Sequence, residues 1–218
     1  HIAAGASFNP SSFNNPQGTI VNCGTLALPS ISLSAGFRLD NYGTSNLANS
    51  INWNGAAIFN NYEDGVVDIT TTFSLKNNSI LTNDGTITAT GVFQTDSGTT
   101  LTNNAHITLS GGNFNPNGVV TNNGFIQTDE FINVNANSTL TNNCTFISVK
   151  GFNNNSVSTV NNGYVFVTGG GPGSQTLQIN NAMTQGSDGY LVGIDFDNSS
   201  TITGGGNYYF TGDTKNQG

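Results

Sequence analysis

Apolar residues recur at fixed positions of a short repeat and do not show the i, i+3, i+4, i+7 spacing of a helix. The repeat contains a corner of the form Asn-x-Gly-x-apolar, which is clearest at residues 83–87 and 122–126. The fourth residue after the first Asn of each copy is usually apolar, whereas its two neighbours are mostly Thr, Gln or aromatic. This alternation with a period of two predicts β-strands with one buried side and one exposed side.

The first Asn of the corner recurs every 19 to 20 residues over most of the chain. This period is too short for helix-pair repeats and favours a β-solenoid in which each repeat forms one coil. We therefore predict an all-β protein, a parallel β-helix (β-solenoid) of about ten coils of 19–20 residues with an N-terminal cap. The ten corner positions assigned from the sequence are Asn22, Asn41, Asn60, Asn83, Asn103, Asn122, Asn142, Asn161, Asn180 and Asn198.

Asparagine suits such a corner for two physical reasons. Its backbone tolerates the left-handed region, and amide side chains stacked one strand spacing apart can hydrogen-bond along the solenoid axis. We therefore expect a structural ladder of amides, each bond contributing about 0.5 to 1.5 kcal/mol. The residues expected in this ladder are Asn22, Asn41, Asn83, Asn103, Asn122, Asn142 and Asn161.

Two further apolar rows complete the expected core, one nine to eleven residues after the corner Asn and one immediately before it. The same register places Glu130 and Lys150 side by side on adjacent coils, as a surface ion pair. The two rows are Phe93, Phe114, Phe131 and Phe152 after the corner, and Leu81, Leu101, Val120 and Leu140 before it.

The pattern also suggests how the chain is divided. Residues 1–20, with Phe8 and Phe13 in a polar context, are predicted to form a cap over the first coil, because an open coil exposes strand edges. Residues 21–218 are assigned to the β-helix, which becomes less regular after about residue 166. A corner insertion is expected at 62–64 and a glycine-rich loop at 169–174.

Composition narrows the possible functions. The 218 residues are 7% charged with a net charge of −8, and the only basic residues besides the two histidines are Arg38, Lys76, Lys150 and Lys215. Such a surface does not suit nucleic acids or anionic membranes, and we expect neither a nucleic-acid partner nor membrane insertion.

The two cysteines bear on the redox state and on cofactors. The register separates Cys23 and Cys144 by six coils, or roughly 29 Å at about 4.8 Å per coil, so free thiols are predicted. No Cys/His spacing typical of a metal site is present, and no cofactor is expected.

The corner motif resembles the repeats of haemagglutinin-type secreted adhesins that fold as right-handed parallel β-helices. The resemblance covers roughly residues 20–205 and depends on the period and on residues 22–26, 83–87 and 122–126. It implies a right-handed parallel β-helix in an extracellular or cell-surface protein, as a monomer or as part of a longer chain. The implied function is non-catalytic adhesion to a glycan, a matrix protein or a cell-surface protein.

The outward positions three and five residues after the corner offer a candidate binding surface. Phe125, Tyr164 and Phe166 would form an aromatic platform, with Gln127 as a hydrogen-bonding neighbour. The competing interpretation is that the cap or a flanking segment packs over these rings.

Two other functions remain open. Parallel β-helices also house polysaccharide lyases and hydrolases, and Asp195 and Asp197 are the one pair of carboxylates expected on the same side of a strand, as a weak metal or catalytic candidate. Ice binding would need an unbroken outward Thr array, which His106 and the aromatic residues interrupt. A second Thr column, at residues 82, 102, 121 and 141, lies beside the Asn corner and is interpreted as support for that turn.

Overall fold

The computed structural model describes residues 1–11, 13, 16–29, 31–33, 35–48, 51–53, 55–169 and 176–217. Within these ranges the chain has no helix, and every strand pair is parallel. Three strands in succession form one coil, and equivalent strands of successive coils stack into three sheets. The prediction of an all-β parallel solenoid with about ten coils is confirmed.

The strands are numbered in chain order and the sheets are named A, B and C. Sheet A contains ten strands: β2 (Gly18–Asn22), β5 (Phe37–Asn41), β8 (Ile58–Asn61), β11 (Ile80–Asn83), β14 (Thr100–Asn103), β17 (Val119–Asn122), β20 (Thr139–Asn142), β23 (Ser158–Asn161), β26 (Met183–Gln185) and β29 (Ile202–Gly204).

Sheet B follows the Asn corner of each coil and contains eleven strands: β1 (Ser7–Phe8), β3 (Thr25–Leu28), β6 (Thr44–Leu47), β9 (Val66–Ile69), β12 (Thr86–Ala89), β15 (His106–Leu109), β18 (Phe125–Thr128), β21 (Thr145–Ser148), β24 (Tyr164–Val167), β27 (Tyr190–Gly193) and β30 (Asn207–Phe210).

Sheet C completes each coil with ten strands: β4 (Ile31–Leu33), β7 (Ile51–Trp53), β10 (Phe73–Leu75), β13 (Phe93–Thr95), β16 (Phe114–Pro116), β19 (Phe131–Val134), β22 (Gly151–Asn154), β25 (Thr176–Ile179), β28 (Asp195–Asn198) and β31 (Thr214–Asn216).

The core is a continuous column of apolar side chains enclosed by the three sheets. Phe73, Phe93 and Phe114 stack along sheet C, with ring centroids 4.8 and 5.7 Å apart. The assignment of Phe131 to this row is wrong, because Ile132 pairs with Phe114 and Phe152. Since side chains alternate across a strand, Phe131 points away from the core, and its ring lies over Gly151, where an added Cβ would be 3.1 Å from it.

The buried asparagines form an unbroken ladder along the A–B corner. Successive amides of the first eight members are joined by Nδ2 to Oδ1 bonds of 2.7–2.8 Å, and the last Asn donates to Gln185 Oε1 at 3.2 Å. The second amide hydrogen of most members is donated to a backbone carbonyl, as from Asn122 to Thr145 O. The members are Asn22, Asn41, Asn61, Asn83, Asn103, Asn122, Asn142, Asn161 and Gln185.

A second, exposed ladder lies one residue further along at five successive corners. Four side-chain amides donate in turn to the preceding coil over 2.7–2.9 Å, beginning at Asp84 Oδ1. Water can replace these partners, so the exposed ladder contributes less than the buried one. Its members are Asp84, Asn104, Asn123, Asn143 and Asn162.

One corner assignment is shifted by a single residue. Asn61 occupies the ladder position, because Phe59 points into the core and alternation turns Asn61 inward as well. Asn60 points outward and donates to Asp40 Oδ1 at 2.8 Å. The ladder step from Asn61 to Asn83 is 22 residues, against 20 for the next step, and the extra residues form a turn closed by Gly65 N donating to Tyr62 O.

The corner assignments after residue 161 are wrong. Gln185 follows Asn161 in the ladder after 24 residues, and Gly204 pairs with Gln185. Asn180 instead follows a sheet C strand and donates to Asn155 Oδ1, while Asn198 pairs with Ile179 in sheet C. The longer step contains the glycine-rich segment, of which residues 170–174 lie outside the described residues.

The N-terminal segment packs against the first coil. Strand β1 pairs with β3, and Ile2 forms a bridge with Asn22. The Phe13 ring makes an edge contact with the buried Phe37 ring at 6.1 Å. Regular sheet A structure begins at Gly18, inside the segment assigned to the cap.

Two further predictions from the register, the ion pair and the free cysteines, are confirmed. Lys150 Nζ is paired with the Glu130 carboxylate on the preceding coil. Cys23 and Cys144 are free thiols.

A matched pair of substitutions tests the buried ladder. Asn122→Ala leaves the amide of Asn103 without its acceptor and that of Asn142 without its donor inside the protein, so we expect a loss of about 1–3 kcal/mol in the free energy of unfolding. Asn123→Ala, on the exposed ladder, should cost less than about 1 kcal/mol because water replaces its partners. Urea denaturation of both variants measures the difference; equal losses would contradict a stabilising role specific to the buried ladder.

Candidate functional site

The four residues predicted to bind a ligand all lie on the outward side of sheet B. Phe125 and Tyr164 occupy one column, and Gln127 and Phe166 occupy the neighbouring one. Thr145 and Ile147 separate the two pairs by one coil. Strand alternation causes this placement, since the residues between them point into the core.

Tyr190, on β27, joins this surface next to Tyr164. The two rings are nearly parallel, at 9° and a centroid separation of 4.8 Å, and Phe166 is parallel to Tyr164 at 5.6 Å. We call Phe125, Gln127, Tyr164, Phe166 and Tyr190 the aromatic face. The rings support one another in a fixed orientation, and they need no reordering to contact a ligand.

The described residues of the cap do not cover this face. Strand β1 lies at the far end of sheet B, eight strand positions from β24, which carries Tyr164. Tyr164 is 41% exposed, and Phe125, Phe166 and Tyr190 are partly exposed. The interpretation that the cap packs over these rings is therefore wrong for the described cap residues.

The sequence-based prediction does not include Tyr190, because it takes Asn180 as the next corner after Asn161, whereas Gln185 holds that position in the structure. With Asn180 as the corner, Met183 and Gln185 take the outward positions three and five residues further on, but both are buried in sheet A. A recognisable signal exists: the Asp-Gly pair before Tyr190 repeats the Asp-Gly pair that precedes Val66 at the corner insertion. Both pairs end a four-residue corner that leads into a sheet B strand.

The aromatic face is free of formal charge at neutral pH. From β15 to β27 the outward columns of sheet B carry no Asp, Glu, Lys or Arg. His106 stacks obliquely on Phe125, with centroids 5.7 Å apart. The nearest outward carboxylate on this sheet is Asp68, which accepts a hydrogen bond from Thr88. The arrangement suits an uncharged ligand with both apolar and hydroxyl groups.

Asp195 and Asp197 point outward from β28, on the same side of the strand. One of them is already engaged, since Asp195 Oδ1 accepts the backbone N–H of Asp213 at 3.0 Å. Asp197 lies beside Lys215 on the next strand. Among the residues that the structure describes, no group of three or more His, Cys, Asp or Glu side chains is placed to hold a metal ion.

The outward side of sheet A presents a second regular surface. Thr82, Thr102, Thr121 and Thr141 lie in exact register on four successive strands. In the described chain their hydroxyls do not hydrogen-bond to the Asn corner, where the amides and carbonyls are already paired with each other. The interpretation that this column supports the turn is therefore wrong, and its hydroxyls face solvent.

Charge appears on the sheet A surface only toward its N-terminal end. Arg38 Nε donates to Asp40 Oδ2 at 2.8 Å, and Asn60 donates to the other carboxylate oxygen. Burial opposes ionisation of Asp40, but the hydrogen bonds from Arg38 and Asn60 and the charge of Arg38 outweigh it and lower the pKa of the carboxyl group.

In comparisons with known proteins, no family model, no curated protein and no solved structure matches this chain. The chain is therefore classified by its fold, as a parallel β-solenoid with about ten coils. None of the described elements is a helix long and apolar enough to cross a membrane.

The lowered pKa of Asp40 predicts a stability change in acid. The folded state binds fewer protons than the unfolded state between the two pKa values, so this stabilisation is complete above the ordinary value of 3.8 and is lost as the pH falls through the lower folded value. Asp40→Asn should reduce the fall in melting temperature below pH 4. Thermal melts from pH 7 to pH 2 test this; identical pH profiles for both proteins would contradict it.

Proposed function

We propose that this protein is a non-catalytic, adhesin-like binding protein that holds a glycan on its aromatic face. The observation that carries the proposal is the parallel arrangement of Tyr164, Phe166 and Tyr190 at an exposed, uncharged part of sheet B. Sugars combine apolar C–H groups with hydroxyls, and tyrosine combines an apolar ring with a polar tip.

Rigidity supports binding by this surface. The strands that carry the aromatic face are fixed by sheet hydrogen bonds on both sides and by the buried ladder at the corner, which donates to the backbone carbonyls of Tyr164 and Tyr190. A preformed surface loses little conformational entropy on association, so a modest contact area is sufficient for useful affinity. A sugar chain that lies along the axis would meet Tyr164 and Tyr190 on adjacent coils, with ring centroids 4.8 Å apart.

The resemblance of the corner repeats to those of haemagglutinin-type adhesins agrees with this proposal and suggests an extracellular or cell-surface location. A glycan is favoured over a matrix or cell-surface protein, because the aromatic face offers no charged side chain for the polar rim of a protein interface. No specific observation favours the enzymatic alternative at Asp195 and Asp197.

The test is a glycan array, run beside a panel of matrix proteins, with and without Ca²⁺. We expect binding to a neutral glycan, weakened at least about fivefold by Tyr164→Ala or Tyr190→Ala, which corresponds to about 1 kcal/mol for a central contact. Gln94→Ala, on the outward side of sheet C, is the matched control and should bind like the original protein.

Three results would count against the proposal. Binding that survives both tyrosine substitutions would place the ligand elsewhere. A hit confined to matrix proteins would replace the glycan by a protein partner. Release of sugar fragments during incubation would show catalysis.

A further inference from the structure

The outward side of sheet A is built almost entirely from β-branched side chains in its central coils. Each strand presents two outward residues, and these residues align in two columns along the axis. We call this surface the threonine face. Its members from β11 to β23 are Ile80 and Thr82, Thr100 and Thr102, Val119 and Thr121, Thr139 and Thr141, and Ser158 and Val160.

β-branched side chains make this face stiff. Val, Ile and Thr have restricted χ1 rotation in strands, so their methyl and hydroxyl groups remain at fixed positions. Val119 is 45% exposed and Ile80 is 42% exposed, which leaves apolar groups in contact with water between the hydroxyls. The face therefore presents a regular mixture of methyl groups, which water must surround, and hydroxyl groups, which can hydrogen-bond to that water.

The face is electrically neutral on a molecule of net charge −8. No outward residue of the sheet A strands from β8 to β29 is charged, and the Arg38–Asp40 pair lies on the preceding strand, β5. A surface of this kind complements an uncharged partner and offers nothing to an ionic one.

The spacing of the column matches a water network. Stacked strands place the Thr hydroxyls about 4.8 Å apart. Two waters hydrogen-bonded to the same third water lie about 4.5 Å apart, given an O···O distance of about 2.75 Å and a tetrahedral angle. The mismatch of about 0.3 Å per coil adds up to only about 0.9 Å over the three steps from Thr82 to Thr141.

From the neutrality, stiffness and spacing we propose that the threonine face binds the surface of ice. In the bound state, the Thr hydroxyls take the places of water molecules in the outermost layer of the ice. The methyl groups between them fit into the spaces between the water molecules of that layer. The proposal concerns sheet A and is independent of the aromatic face on sheet B, so one can fail without the other. The interruption by His106 and aromatic residues applies to sheet B only.

Thr121 is the residue to change, because Thr102 and Thr141 flank it on both sides. Thr121→Tyr keeps good strand propensity, but its large ring extends beyond the neighbouring threonines and prevents close contact with a crystal. Gln94→Tyr places the same ring on the outward side of sheet C, at a residue that is also partly exposed, and is the matched control.

The measurement is thermal hysteresis together with adsorption of the labelled protein to a growing ice hemisphere. We expect the original protein and Gln94→Tyr to show both effects equally. Thr121→Tyr should show a thermal hysteresis at least about fivefold smaller. Its circular dichroism and melting temperature should match those of the original protein and so confirm that it is folded. Tyr164→Ala should leave ice binding unchanged.

Several outcomes would overturn the proposal. The original protein could show no hysteresis and no adsorption, or Thr121→Tyr could be as active as Gln94→Tyr. A dimer that Thr121→Tyr converts to a monomer in sedimentation would identify the face as a contact between copies of this chain. Binding to crystalline cellulose or chitin that is lost in Thr121→Tyr, without an effect on ice, would identify a polysaccharide surface.

Discussion

A buried primary amide needs partners for two hydrogens and one oxygen, and this requirement joins each coil of the solenoid to the next. Asn122 accepts from Asn103, donates to Asn142, and gives its second hydrogen to the carbonyl of Thr145. A shift of one residue in any coil would turn its amide outward and leave the neighbouring amides unpaired in the core, at a cost of about 1–3 kcal/mol for each lost partner. The ladder therefore holds the register from Asn22 to Gln185.

A fixed register determines what the solenoid shows to solvent. Because side chains alternate along each strand, the residues beside a buried Asn or Leu form straight outward columns, and the composition of a column sets the character of a whole face. The outward aromatic rings of sheet B lie toward its C-terminal half, where Tyr164 stacks on Tyr190. Sheet A gathers threonines such as Thr121 over its centre. The two faces have different chemistry although they share one set of coils.

Much of the fold could be predicted from the sequence, because each coil repeats the same pattern of apolar and corner residues. The period, the three-row core and seven ladder residues all follow from positions that recur, and one irregular copy does not obscure them. The errors in the prediction fall in single copies of the repeat. The spacing of the repeat assigns Asn60 and Phe131, whereas alternation within the strand selects Asn61 and Ile132.

The local pattern determined the strands, the corner and which residues point outward within a regular coil. Tertiary structure decided how strands pair across the glycine-rich segment, because that segment lengthens one ladder step to 24 residues and the 19–20-residue period does not predict this length. It thereby placed Tyr190 beside Tyr164. It also decided that the hydroxyl of Thr121 is available to solvent, since the possible partners at the corner are used by other coils, and no single repeat contains that information.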